Sequence, residues 1–159
     1  MIGLIAILDR DGSLIGGPGR TPWVLDELEQ FVSEQVEKKT VLAGRRTWEL
    51  FGSKLPAFKS LVLSRSSSNA LPGPSRVANH LDVAIERALQ WKRDLLVIGG
   101  ASVFRQVLTH VDELHLAYVK SPVSEVLAFP AVDPRTWWCA ETREHPAYEL
   151  VTYKRRGVA

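Results

Sequence analysis

The sequence predicts an α/β fold: a central, mostly parallel twisted sheet with an antiparallel C-terminal edge and helices on both faces. Three observations predict it. Continuous apolar runs at Ile2 to Leu8, Thr40 to Ala43, Leu61 to Leu63 and Leu95 to Ile98 are the pattern of strands buried on both faces. Segments of helical periodicity follow or separate them: Leu25, Leu28, Phe31, Val32 and Val36; Trp48 to Phe51; Leu81, Ala84, Ile85, Ala88 and Leu89; Val103, Phe104, Val107 and Leu108. Late in the chain the pattern becomes an alternation, Glu113 to Val119, with two more strands expected between Trp137 and Lys154 around His145-Pro146. In such a fold the ligand crevice lies at the carboxyl ends of the parallel strands.

The bulk properties bound the function. A chain of 159 residues, 45% hydrophobic and 24% charged, is expected to form one domain over residues 1–159 with a sizeable core. The formal charge is +2, and basic residues are scattered apart from Lys154-Arg155-Arg156, so no nucleic-acid partner is expected. The single cysteine, Cys139, leaves no internal disulfide and suits a reducing, cytoplasmic compartment. The apolar N-terminus meets Asp9, Arg10 and Asp11 too soon for a signal peptide or a membrane span. His80, His110, His115 and His145 lack metal-ligand spacing and read as structural or exposed, so no metal is expected.

The chemistry concentrates after strands. Asp9-Arg10-Asp11-Gly12 is a turn, and Leu14 to Arg20 is a glycine-rich loop of the kind that carries binding on a rigid sheet. On the next helix Asp26 and Glu29 resemble a capping pair, whereas Glu27 sits beside Leu28 at the edge of the apolar face. A carboxylate placed there is either partly desolvated, with a raised pKa that suits proton transfer, or a solvated group at the favourable end of the helix dipole. Gly44-Arg45-Arg46-Thr47 follows the second strand and Ser64-Arg65 the third; both are anion-friendly, although the arginines could equally be solvated.

The stretch Leu95 to Phe104 joins these features. A buried strand runs into Gly99-Gly100 and then directly into a helix. Residues without Cβ let backbone N–H groups approach a ligand closely, and a helix start favours phosphate. The third glycine of a dinucleotide fingerprint is missing, so a tight packing turn is the alternative.

Taken in order and spacing, these motifs resemble the dihydrofolate reductase family over nearly the whole chain. The matching landmarks are Ile5-Ala6, Ile15-Gly16, Pro22-Trp23, Leu28 with Phe31, Gly44-Arg45-Arg46-Thr47-Trp48, Leu55-Pro56, Leu63-Ser64-Arg65, Ile98-Gly99-Gly100, and Phe129-Pro130 before Trp137. The resemblance implies a dihydrofolate-reductase-like fold and NADPH as hydride donor. It implies that Gly44, Arg45, Arg46 and Thr47 hold phosphates, that Leu63, Ser64 and Arg65 hold the adenosine 2′-phosphate end, and that Ile98, Gly99, Gly100, Ala101, Ser102, Val103 and Phe104 line the pyrophosphate and nicotinamide region. A cis peptide is implied between the two glycines. Ala6, Ile15 and Gly16 would line the nicotinamide site. Ile5, Ile7, Leu28, Phe31, Phe51, Leu55 and Ile98 would form the pterin and benzoyl pocket, in which Glu27 binds the ring edge and promotes protonation of N5 while Trp23 helps order a water. Reduction of 7,8-dihydrofolate by a monomer is the implied activity.

The chain also departs from the family pattern. Between Trp23 and Glu27 it is at least one residue short, which leaves Asp26 as an alternative acid. Phe58 stands where an arginine usually clamps the carboxylate of the substrate's glutamate tail, with Lys54 and Lys59 as possible substitutes. Ala117 replaces a threonine that bonds the acid, Phe104 replaces an aromatic hydroxyl, and Leu127 replaces a phosphate-contacting hydroxyl. These departures keep two other readings open: a reductase of another pterin or of an aminopyrimidine, and a nucleotide-binding module without catalysis.

Overall fold

A computed structural model of the chain describes residues 1–15, 38–51, 60–64, 76–120 and 126–157. Its buried apolar runs become strands because a parallel sheet covered on both faces is where such runs can hide all their side chains. Strands β1 (Ile2–Leu8), β3 (Lys39–Gly44), β4 (Ser60–Leu63), β5 (Arg76–Ala78), β6 (Asp94–Gly99) and β7 (Glu113–Val119) lie parallel in the order β5-β4-β3-β6-β1-β7. The alternating segments add an antiparallel edge: β10 (Tyr148–Arg155) pairs with β7, and β9 (Trp137–Glu144) pairs with β10. Two short strands branch off, β2 (Leu14–Ile15) pairing with β1 and β8 (Val126–Leu127) pairing with β2.

The chain winds outward through β3, β4 and β5, then returns to insert β6 between β3 and β1 before placing β7 on the far side of β1. This reversal opens a crevice at the carboxyl ends of β3, β6 and β1. Strand alternation sorts the core into two layers. Leu4, Ala6, Leu42, Leu61, Leu95, Val97, Leu114 and Leu116 pack with helix α2 (Leu81–Gln90) and helix α3 (Ala101–Val107). Ile5, Val41, Ala43, Val62, Leu96, Ala117 and Val119 face the other way, where Trp48 of helix α1 (Arg45–Phe51) is fully buried among them. Helices therefore cover both faces, as expected.

The differences from expectation are local. Leu14-Ile15, read as the start of a loop, forms β2, and β5 and β8 carry no periodic signal because strands of two or three residues are too short to show one. Helix α1 begins at Arg45, three residues before Trp48. The Asp9–Gly12 turn is built as its residues suggest: the Asp9 carboxylate accepts from the Asp11 and Ser13 nitrogens, and Gly12 takes a φ of 84°. No described helix is long and apolar enough to cross a membrane. Among the described residues no group of His, Cys, Asp and Glu is arranged to hold a metal.

His115 is the one buried histidine of the described residues, while His80 and His110 are exposed and His145 stacks on Tyr148. Its Nδ1 lies 3.1 Å from Thr152 Oγ1, and its Nε2 lies 3.6 Å from Glu113 Oε1. Burial lowers its pKa below the ordinary 6.5, against the opposing pull of Glu113; Lys39 and Arg143 lower it further and Glu141 raises it. In the window between the lowered folded value and about 6.5 the unfolded chain binds the proton more readily, so stability rises with pH there and levels off above. Unfolding free energies measured from pH 5 to 8 are expected to show this slope, at most about 1.4 kcal/mol per pH unit for one proton, and to flatten in His115→Gln. An identical slope in the variant would assign the effect to other groups.

Candidate active site

Three strand ends form the site. Leu63 of β4 lies opposite Gly44 of β3, and Ala43 lies opposite Gly99 of β6. Because Leu42 pairs with Val97 and Ala43 with Gly99, Ile98 is an extra residue that bulges β6 just before the glycine pair. The Gly99–Gly100 peptide is cis, as the family resemblance implied, and Gly99 has a φ of 129°, a conformation that L residues rarely adopt. Helix α3 starts at once, its first turn closed by the Phe104 nitrogen donating to the Gly100 oxygen at 2.9 Å.

Here two helices anchored on opposite faces of the sheet meet at one edge. A Cβ on Gly44 would lie 3.1 Å from Val103 Cγ2 of α3 and 3.6 Å from the Gly100 nitrogen. One on Gly99 would lie 3.4 Å from Phe104 Cζ and 3.5 Å from Thr47 Oγ1 of α1, and one on Gly100 would lie 3.4 Å from the same hydroxyl. The glycines are what let Thr47, Val103 and Phe104 converge. This cradle, a pair of helix starts around residues without side chains, is of the kind that fits a phosphate-bearing ligand.

Of the residues anticipated for the cofactor, the structure brings together Gly44, Thr47, Ile98, Gly99, Gly100, Val103 and Phe104, with Ala101 and Ser102 opening α3. Arg45 and Arg46 open α1; the Arg45 Nε donates to Glu49 Oε1 at 3.0 Å, an i,i+4 pair that gives an arginine at a helix start a local partner. Leu63 ends β4, and the Ser64 nitrogen, just beyond it, donates to the Ala78 oxygen at 3.0 Å. Ile15 ends β2. Gly16, Trp23, Asp26, Glu27, Leu28, Phe31, Lys54, Leu55, Phe58, Lys59 and Arg65 lie outside the described residues.

The sheet itself divides the remaining candidates. Ala6 shares its core layer with Phe104, whereas Ile5, Ile7 and Ile98 share the layer of Ala117 and Trp48, from which α1 continues to Phe51. Ile7 pairs with Ala117 in register, and Ala117 is fully buried. None of Ile5 to Leu8 or Ile98 to Ala101 can titrate, so this edge can bind and orient but cannot itself deliver a proton. Tyr118, in register with Leu8, has its pKa pushed up by burial and by Tyr153, and stays protonated. Sequence reasoning placed no weight on Phe129 beyond its use as a landmark. Its ring stands edge-on to Phe104, with centroids 5.8 Å apart and planes at 85°. No pattern in the sequence marks a contact between residues so far apart.

Fold and edge together define an α/β protein with a glycine-lined crevice at a topological switch point. The family model described as dihydrofolate reductase matches residues 1–156. The chain is 31% identical over 154 residues to dihydrofolate reductase type 3 of Salmonella typhimurium, covering 96% of this chain and 93% of that one. It is 30% identical over 146 residues to dihydrofolate reductase of Neisseria gonorrhoeae, covering 87% and 89%. In fold it is similar to dihydrofolate reductase from Enterococcus faecalis complexed with NADP(H) and RAB-propyl, with a TM-score of 0.84, 24% identity, and coverage of 99% of this chain and 97% of that one. The chain belongs to the dihydrofolate reductase family. Its activity is the NADPH-dependent reduction that defines the family.

The cradle can be tested directly. In Gly99→Ala the strained φ is expected to cost about 1–3 kcal/mol of stability, and the crowding against Phe104 and Thr47 to weaken NADPH binding about tenfold in a fluorescence titration. Gly12→Ala carries comparable strain at φ 84° with nothing within 4 Å, so it should lose stability and keep its NADPH affinity. Equal affinities in both variants would remove the glycine pair from the binding site.

Proposed function

We propose that the chain acts as one domain and as a cytoplasmic monomer, reducing 7,8-dihydrofolate to 5,6,7,8-tetrahydrofolate with NADPH held along the carboxyl ends of β4, β3 and β6. The observation that carries this reading is the convergence of Gly44, Thr47 and Val103 on the Gly99–Gly100 pair. Bound NADPH supplies the hydride that reduces C6. Gly99, Gly100 and the first residues of α3 hold the pyrophosphate; Gly44, Arg45, Arg46 and Thr47 hold phosphate from α1; Leu63, Ser64 and Arg65 hold the 2′-phosphate end. Ala6, Ile15 and Gly16 flank the nicotinamide. Ile5, Ile7 and Ile98 give the pterin an apolar wall that excludes water, joined by Leu28, Phe31, Phe51 and Leu55.

An apolar wall makes the proton the limiting problem. Glu27 binds the pterin edge and promotes protonation of N5, and Trp23 orders the water between them. Ala117 offers this carboxylate no hydroxyl. A second reading has one specific observation behind it: Phe58 occupies the place of the tail-clamping arginine. A lost charge-assisted contact of that kind is worth about 1.5–3 kcal/mol, which favours a reductase indifferent to the glutamate tail.

Steady-state oxidation of NADPH is expected with dihydrofolate and, for comparison, with the same pterin lacking the glutamate. Preference for dihydrofolate would place the tail contact on Lys54 or Lys59; equal rates would establish the tail-indifferent reading. Cofactor binding without turnover of either would leave a reductase of another heterocycle, such as an aminopyrimidine, or a nucleotide-binding module. Glu27→Gln is expected to keep NADPH affinity and to lower turnover on the order of 100-fold, most strongly at neutral and higher pH where solvent protons are scarce. Unchanged turnover in that variant would transfer the role to Asp26.

A further inference from the structure

We propose that Arg155 is a positioning residue for the cofactor, acting through helix α3 on the pyrophosphate held at that helix's first turn. The inference rests on the NADPH-dependent reading above. It starts from the basic run Lys154-Arg155-Arg156, to which the proposed function gives no part. Arg155 is the last residue of β10 and reaches the far end of α3. Past Val107 that helix tightens into a 3-10 turn over Leu108–His110. The Arg155 guanidinium donates from Nη2 to the Leu108 oxygen and from Nε to the Val111 oxygen, both at 2.8 Å. Carbonyls at the end of a helix have no partner within it, and a planar guanidinium can take two acceptors in one fixed geometry.

Arg155 is itself held. Its guanidinium carbon lies 4.5 Å from the centroid of the buried Trp137 ring, and its backbone nitrogen donates to the Asp112 oxygen at 2.9 Å. Asp112 is tied in turn to the start of β1: its nitrogen donates to the Ile2 oxygen, and its carboxylate accepts from the Ile2 nitrogen, each at 2.8 Å. The rear of α3 is thus fastened to the central sheet. At the front, the first turn borders Gly44, Gly99 and Gly100, which carry no side chain to brace it. The buried residues Val103, Phe104 and Val107 keep the helix on its layer by apolar contact, which is non-directional. Directional bonds to named carbonyls set where the helix lies along its own axis. Because α3 is only about two turns long, a displacement at its rear reaches its first turn as a rigid-body shift. Arg155 in this way sets the placement of the α3 start against the α1 start, and under the proposed function those two starts hold the cofactor's phosphates together.

A merely structural Arg155 would affect stability alone. The test uses the full-length protein and two probes: NADPH, and adenosine 2′-phosphate, which carries the 2′-phosphate end and no pyrophosphate. Arg155→Met is expected to weaken NADPH binding about fivefold in a fluorescence titration and to raise the KM for NADPH in proportion, with kcat within about twofold of wild type. Its affinity for adenosine 2′-phosphate, read by NMR titration, should match that of wild type. Arg155→Lys keeps the charge but reaches one carbonyl at a time, so its NADPH affinity should fall between the two; if the Met variant is too unstable to titrate, the Lys variant carries the test with the same probes. Arg156→Met removes the same charge next door, where Nε donates to the Pro134 oxygen at 2.7 Å, and should keep wild-type NADPH affinity. Equal losses for both probes, or a lower Tm with unaltered NADPH affinity, would overturn the proposal while leaving the function intact. Wild-type protein that fails to bind NADPH would instead overturn the function, and this inference with it.

Discussion

Everything at the crevice depends on one backbone constraint: at the shared edge of β3 and β6 two helices from opposite faces meet around a glycine turn whose φ of 129° L side chains rarely adopt. Val103 of α3 comes within 3.1 Å of where a Gly44 Cβ would be, and Thr47 of α1 comes within 3.5 Å of where a Gly99 Cβ would be. A Cβ on Gly44 would require Val103 to give way, and at Gly99 it is the positive φ that favours glycine. The result is that two helix starts open onto the same small volume.

The parallel sheet turns this local crowding into a two-sided site. Successive side chains on a strand point to opposite faces. Along β1, Ala6 falls in the layer of α3 and Phe104, while Ile5 and Ile7 fall in the layer of α1 and Ala117. Strand β6 repeats the division, with Val97 on one side and Ile98, the bulged residue, on the other. A cofactor approached from one layer and a substrate from the other can then meet across the end of the sheet without either being enclosed by flexible chain alone. His115 marks the limit of this apolar region. It lies on β7 in register with Ile5, and its Nδ1 meets Thr152 Oγ1 across the β7–β10 pair.

Much of this was legible from residues alone because long, continuous apolar runs and glycines at strand ends are strong signals. Strands β1, β3, β4, β6 and β7, the helices from Leu81 and Ala101, and the antiparallel close around His145-Pro146 follow the reading closely. The order of the strands does not follow from periodicity, since a run such as Leu95 to Ile98 looks the same at an edge and at the centre. Strands β2, β5 and β8 have two or three residues each; β2 and β5 are held by longer neighbours, and β8 by pairing with the equally short β2. In the site, the Gly99–Gly100 turn announced itself, whereas the Phe104–Phe129 contact is a tertiary event between segments that share no pattern. Arginines at the start of α1 suggested a bound anion; the Arg45–Glu49 pair shows that a local carboxylate also accounts for one of them.

The departures at Phe104 and Ala117 have a common physical consequence. The Phe104 atom nearest Gly99 is Cζ, the position at which a tyrosine would carry its hydroxyl, so the group missing here would have pointed at the glycine pair. Ala117, fully buried beside Ile7, likewise presents a methyl where the family pattern has a hydroxyl. Both losses make the crevice more apolar, and a buried hydroxyl without a partner would cost more than its absence. Beside both glycines the polar side chain is Thr47, whose Oγ1 would lie 3.5 and 3.4 Å from a Cβ on Gly99 and on Gly100. Orientation in this chain must then come less from side-chain hydrogen bonds and more from shape: a rigid glycine turn, backed by an aromatic ring that is itself held from behind.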